Sequence, residues 1–242
     1  LYIYMKIQFY LFLLLFLLPG LQTVKGENLY FRHYNNKQGL SHNTVYCSLQ
    51  DKRGFMWFGT DDGLNRFDGH TFKVYRHNSY QPESLPNDHI ISLFEDSEEK
   101  IWVCTNRGTC YYDYHADAFH PLQLANEENT PEYFISVRED KQGNLWFLDY
   151  NRIVRYSPSD RTTRSYPGST HVYSTLAISD EGLPIMADYY DFYQYNPQAD
   201  NFFKIPALGE ADIKSQNHIS TICPIPDVGI LIGTEKGGLM LY

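Results

Sequence analysis

Three tryptophans, at positions 57, 102 and 146 and therefore 45 and 44 residues apart, each follow an aspartate by six residues. No other feature of the chain constrains its fold as tightly. Gln50-Asp51-Lys52-Arg53-Gly54-Phe55-Met56-Trp57-Phe58-Gly59-Thr60 is rewritten as Glu95-Asp96-Ser97-Glu98-Glu99-Lys100-Ile101-Trp102-Val103-Cys104-Thr105, and again as Glu139-Asp140-Lys141-Gln142-Gly143-Asn144-Leu145-Trp146-Phe147. Two weaker copies, starting at Asp180 and Asp227, place Ile185 and Leu231 at the tryptophan position. Self-similarity at such a period means stacked units, none of which can bury its apolar faces alone.

Each copy has one grammar. An alternating strand over 45–49 meets Asp51 and a glycine turn, then a short strand around Trp57. A second turn, Thr60-Asp61-Asp62-Gly63, leads to strands over 64–68 and 72–75. Four short antiparallel strands in roughly 40–45 residues predict a propeller blade. The 21 Tyr and 15 Phe suit pleated, half-buried surfaces. The expected fold is all-β, a β-propeller of about five blades near 43–76, 88–120, 132–166, 170–204 and 217–242. A twisted sheet that is apolar on both faces must be sandwiched, so Trp57, Trp102 and Trp146 are read as fillers between blades. Asp51, Asp96 and Asp140 are read as turn acceptors, not catalysts. The fifth unit stops after its third strand, while residues 28–34 carry an orphan Phe-x-x-Tyr like Phe72-Lys73-Val74-Tyr75. That segment is a candidate closing strand for a five-bladed ring; a partial seven-bladed ring is the alternative, and the one preferred.

Residues 1–26 are set apart from the fold. Met5-Lys6, an apolar run over 9–18, Pro19-Gly20 and the small residues near Gly26 have the layout of a signal peptide. The run is short of the ~20 apolar residues that cross a bilayer. The expected location is therefore periplasmic, by secretion through the inner membrane. Without Lys6 and Lys25 the formal charge moves from −9 to −11, which repels phosphate backbones and excludes nucleic acid as a partner. Cys47, Cys104, Cys110 and Cys223 lack metal-ligand spacing and read as small apolar fillers, although an oxidising compartment would permit pairing.

Gly39-Leu40-Ser41-His42-Asn43-Thr44-Val45, the turn and tryptophan strand of the first copy, Gly63-Leu64-Asn65-Arg66-Phe67-Asp68-Gly69 and the link Ser84-Leu85-Pro86-Asn87-Asp88 together resemble the two-component regulator propeller repeats. These form the periplasmic sensor region of hybrid two-component systems of Bacteroidetes. The resemblance implies sensing of glycan-derived oligosaccharides to regulate polysaccharide utilisation. It also implies a homodimer formed through the full-length receptor, with membrane contact only through C-terminal parts. Kinase, receiver and DNA-binding signatures are lacking in these 242 residues, so no enzymatic activity is expected. The alternatives are a propeller-type carbohydrate-active enzyme and a truncated, non-signalling interaction scaffold.

Propellers bind ligands at the channel mouth or on inter-blade loops. His42, His89, His171 and His218 recur where innermost strands begin, and Tyr150, Tyr189 and Tyr190, with Tyr193, replace the glycine-rich second hairpin. These are the candidate ligand contacts; the competing reading is rings packed between blades with satisfied hydroxyls. Imidazoles can hold metals, yet repeat spacing is not coordination geometry, and no metal or cofactor is expected. Nucleophile-elbow, zincin and Walker sequences are absent.

Overall fold

The computed structural model describes residues 31–124, 132–167, 173–205 and 218–242. The chain divides into two units, Leu1–His33 and Tyr34–Tyr242, and the second holds the strands described below. The signal peptide proposed over 1–26 lies outside the described residues.

Five antiparallel sheets follow one another along the chain. Blade 1 is β1 (Val45–Gln50), β2 (Met56–Thr60), β3 (Gly63–Phe67) and β4 (Phe72–Tyr75). Blade 2 is β5 (Ile90–Glu95), β6 (Ile101–Thr105), β7 (Gly108–Asp113) and β8 (Ala118–Pro121). Blade 3 is β9 (Ser136–Glu139), β10 (Leu145–Leu148), β11 (Arg152–Ser157) and β12 (Thr162–Pro167). Blade 4 is β13 (Tyr173–Ile178), β14 (Pro184–Asp188), β15 (Phe192–Asn196) and β16 (Asn201–Ile205). Blade 5 has three strands among the described residues, β17 (Ile219–Ile225), β18 (Gly229–Thr234) and β19 (Gly238–Leu241). The first strand of each blade lies beside the first strand of the next, so β1, β5, β9, β13 and β17 form the inner wall of a β-propeller.

Strand alternation gives each blade two apolar faces, and at each of the four junctions between consecutive blades the facing sides pack together. Trp57 packs with Ile101, Val103 and Tyr112 of blade 2, and Trp102 with Phe134, Leu145 and Phe147 of blade 3. Trp146 packs with Leu176, Met186 and Tyr195 of blade 4. At the last junction the fillers shrink to Ile185 and Ala187 against Ile222 and Ile232. The indoles of Trp57 and Trp146 are fully buried and that of Trp102 is 4% exposed, as wedges between blades require. Leu239 and Leu241, on the far side of blade 5, and Tyr46, on blade 1, remain exposed.

Two expectations need correction. The described part of the orphan segment, residues 31–34, is not in a strand. Tyr34 packs edge-on against Phe67 and Phe72 of blade 1, at 4.9 and 5.8 Å between ring centroids, because those rings would otherwise face solvent. The turn acids of the weak copies are also displaced. In blade 4 the turn position belongs to Ser179, whose backbone N–H donates to the Leu183 carbonyl as that of Asp51 does to Phe55. In blade 5 the register places Ile225 there. Asp180 instead accepts the Asp227 backbone N–H at 3.2 Å, across the blade junction.

Candidate functional site

The start of each inner strand and the hairpin joining a blade's second and third strands lie at the same end of the sheet. Val45 pairs with Thr60, Ile90 with Thr105 and Ile219 with Thr234. Backbone bonds then tie the hairpins of blades 1, 2 and 4 to the next blade. Gly63 N–H donates to the Asp88 carbonyl, Thr109 N–H to that of Glu132, and the Ile219 N–H to that of Tyr189. This places the residue before an inner strand between its own blade's hairpin and the preceding blade's, which is why the repeated histidines meet acids and tyrosines.

At the blade 1/2 junction, Asp61 is the hub. Its Oδ1 lies 2.6 Å from His89 Nδ1, and its Oδ2 accepts the Tyr46 hydroxyl at 3.0 Å. The Tyr46 and His89 rings are 4.7 Å apart. His42 Nδ1 accepts the Thr44 backbone N–H and sits 4.0 Å from Asp61 Oδ2. Partial desolvation works to raise the Asp61 carboxyl, but the bonds from Tyr46 and His89, with the imidazole charges, hold it below the usual range. The Tyr46 phenol is pushed up by its bond to that carboxylate.

At the blade 4/5 junction, His218 is the hub. Tyr189 stacks on it at 4.7 Å and 20°, the Tyr190 hydroxyl lies 3.2 Å from Nε2, and Glu235 Oε2 lies 3.4 Å from Nδ1. Between the two clusters, Tyr133 and the exposed Tyr150 lie 6.2 Å apart. Burial, then the Tyr150 hydroxyl, pushes the Tyr133 phenol up.

The tyrosine-bearing hairpins differ chemically from the others. In blades 1, 2 and 5 a threonine hydroxyl, that of Thr60, Thr105 or Thr234, donates to a glycine carbonyl three or four residues on. In blades 3 and 4 an aspartate takes over. Asp149 Oδ1 accepts the backbone N–H groups of Asn151 and Arg152, and Asp188 Oδ1 those of Tyr190 and Asp191. An aspartate can close such a turn without glycine, which frees the tip for Tyr150, Tyr189 and Tyr190.

The structure thus gathers His42 with His89, and His218 with Tyr189 and Tyr190; His171 lies outside the described residues. Sequence reasoning passed over Tyr46, Tyr133 and Glu235. Tyr46 was visible as an outward position of an alternating inner strand; Glu235 sits one residue after Thr234 of the turn motif. Among the described residues no three His, Cys, Asp or Glu side chains group as a metal site. All four cysteines are free thiols, Cys104 and Cys110 buried and Cys223 exposed. Also among the described residues, no helix is long and apolar enough to cross a membrane.

The family model for the two-component regulator propeller matches residues 39–62 and 84–107. Those spans hold β1–β2 with the His42 and Asp61 cluster, and β5–β6 with His89. Histidine kinase P4 of Formosa agariphila is 46% identical over 61 residues, 25% of this chain and 4% of that protein. The extracellular domain of a putative hybrid two component system from B. thetaiotaomicron superimposes with a TM-score of 0.61 at 20% identity, covering 87% of this chain and 35% of that one. A catalytically inactive variant of virginiamycin B lyase from Staphylococcus aureus superimposes at 0.58 and 14% identity, covering 91% and 75%. At these identities the solved structures establish a shared propeller fold. The chain spans a small part of the kinase and about a third of the hybrid-system domain.

Proposed function

We propose that this chain, which carries two-component regulator propeller repeats, is the ligand-sensing propeller of a hybrid two-component receptor and lies outside the cytoplasm, in the periplasm, delivered by residues 1–26. Its ligand is a glycan-derived oligosaccharide bound at the end of the propeller where inner strands begin. The observation that carries this reading is the pairing, at two blade junctions of that end, of an imidazole with aromatic rings and a carboxylate. Aromatic faces stack on the C–H faces of a sugar ring, while Asp61, Glu235 and the tyrosine hydroxyls exchange hydrogen bonds with its hydroxyls. The parent receptor would dimerise and carry the signal through parts beyond this region.

Calorimetric titration of the exported chain with a panel of oligosaccharides tests it. One member should bind, and His89→Ala and His218→Ala should each weaken that binding at least tenfold. A panel without a binder, or binding indifferent to both variants, would end this reading.

A second reading, a propeller enzyme acting on carbohydrate, draws support from the Asp61–His89 pair and from the fold shared with virginiamycin B lyase. Release of reducing ends from polysaccharides, lost in Asp61→Asn, would decide for it.

A further inference from the structure

Two of the three tryptophan junctions are sealed at the rim by the same set of side chains. At the blade 1/2 junction Trp57 meets Tyr75, Tyr112 and Phe119, and Arg66 Cζ lies 5.7 Å from the indole centroid. Arg66 Nη1 donates to the Tyr112 hydroxyl at 3.1 Å, and Asp117 accepts from Tyr112 at 2.5 Å and from Tyr75 at 3.0 Å. At the blade 3/4 junction Trp146 meets Tyr166, Tyr195 and Phe202 in the same arrangement, with Arg155 Cζ again at 5.7 Å. Arg155 donates to the Tyr195 hydroxyl at 2.7 Å, and Asp200 accepts from Tyr166 and Tyr195, both at 2.6 Å.

The blade 2/3 junction departs from this at nearly every position. Strand register places Tyr111 where the others have arginine, Leu122 for the first tyrosine, Thr163 for the phenylalanine and Arg161 for the aspartate. Only Tyr156 keeps its type. The lost bulk reappears as a cleft of about 610 Å3 beside Trp102, lined also by Tyr111, Leu122 and Tyr156. That volume lies within the roughly 300–1,000 Å3 of small-molecule sites. Its wall bears Asp96, Glu98 and Glu139 against the single cation Lys100, while Arg161 is exposed and outside the lining.

We propose that this inter-blade cleft binds a ligand bearing a guanidinium or ammonium group on a short apolar arm. The sister junctions show what the niche over the indole accommodates, because each fills it with its own arginine. At blade 2/3 the niche keeps Trp102 and Tyr156 and gains Tyr111, its three carboxylates face only Lys100, which pairs with Glu98 at 2.6 Å and lies 5.4 Å from the Tyr111 centroid, and it lacks that arginine. Aromatic faces and a net negative rim both favour a cation and disfavour anions. The inference stands on this junction alone and is independent of the sensor reading.

The test is calorimetry on the full chain with three probes: agmatine, N-acetyl-arginine methylamide and its neutral isostere N-acetyl-citrulline methylamide. Both cations should bind, with a Kd of about 1 mM or tighter, and the tighter of the two distinguishes a free amine from a peptide side chain as the source. The citrulline probe should bind at least tenfold more weakly. Tyr111→Arg, which supplies the guanidinium in cis, should weaken the cations at least tenfold. Leu122→Tyr, which narrows the cleft, provides the same readout should Tyr111→Arg not fold. His89→Ala should leave cation binding unchanged, so failure here and failure of the sensor reading are separable. Equal binding of the citrulline probe, no binding of either cation, or affinity indifferent to the folded cleft variants would overturn the proposal.

Discussion

The indole N–H of Trp57 donates to Oδ2 of Asp51 across 2.6 Å, inside the protein. Trp102 makes the same bond to Asp96 at 2.8 Å and Trp146 to Asp140 at 2.7 Å. The other oxygen of Asp51 meanwhile accepts the backbone N–H groups of Arg53 and Phe55, at 3.0 and 2.8 Å. One carboxylate therefore closes the turn and aims the wedge.

Trp57→Ala and Trp102→Ala should each cost about 3–5 kcal/mol through the cavity left between blades. Trp57→Phe, which keeps much of the volume but removes the donor, should cost less. Urea unfolding of the three variants checks both the size and the order; unchanged midpoints would contradict the wedge assignment.

Asp51→Asn should cost about 1.5–3 kcal/mol, the range for a charged hydrogen-bond acceptor. Asp51 is nearly buried and accepts from four donors, the fourth being the Tyr114 hydroxyl. An amide turns an N–H2 toward some of them. Equilibrium unfolding is again the measurement, with Asp180→Asn, on an exposed side chain outside the turn position, as the control that should change little.

Gly59→Ala should destabilise by about 1–3 kcal/mol by overpacking. A Cβ there would lie 2.5 Å from Cys47 Sγ and 2.6 Å from Ile90 Cγ2, in the crowded inner contact of blades 1 and 2. Gly54→Ala is unsuitable as a comparison because Gly54 has φ +89°. A thermal melt of Gly59→Ala equal to wild type would refute the close approach.

The Asp117 carboxyl predicts a pH dependence. Burial raises it, but Lys73 and the hydroxyls of Tyr112 and Tyr75 outweigh that and hold it down to about 2. An unfolded aspartate titrates near 3.9. The folded value is the lower one, so the contribution is fully present above about pH 4 and is lost as pH falls through about 2. The side chain is half exposed, which keeps the effect under about 1 kcal/mol. The stability difference between wild type and Asp117→Asn should shrink over that window in urea melts at several pH values.

Thiol labelling should separate the cysteines. Burial pushes Cys47 up to about 12 and Cys104 up to about 11, and raises Cys110 well above its usual value, whereas Cys223 is exposed. Native protein at pH 8 should react rapidly at Cys223 alone, and at all four after denaturation. Fast labelling at two or more sites before unfolding would contradict the packing of blades 1 to 3.

The fold was legible because period, turn chemistry and strand alternation all agree over blades 1 to 3. What stayed hidden was why Asp51 and Trp57 keep their spacing, since a hydrogen bond from ring to turn is a three-dimensional fact. Blades 4 and 5 make the point by loss. Ser179 stands six residues before Ile185, and Ile225 six before Leu231, so acid and indole disappear together, and an alignment on the nearby Asp180 or Asp227 goes astray. In the orphan segment, of which only 31–34 are described, Phe-x-x-Tyr spacing marks an apolar edge but not which sheet Tyr34 covers. At the candidate site, recurrence of histidine and tyrosine located the right end of the blades. Asp61 comes from the hairpin of the blade before His89 and Glu235 from the hairpin of His218's own blade, so the recurrence of histidine does not by itself announce them.

Since acid and indole must meet, the stretch from Asp51 to Trp57 has the rigidity of a ruler, and an inserted residue there would swing the ring out of its slot. Chain length can drift only elsewhere. It does so between blades, where residues 76–89 separate β4 from β5 but only 168–172 separate β12 from β13. Grafts and reporter insertions are accordingly best placed in those connectors, where the spacing of the supporting repeat is left untouched.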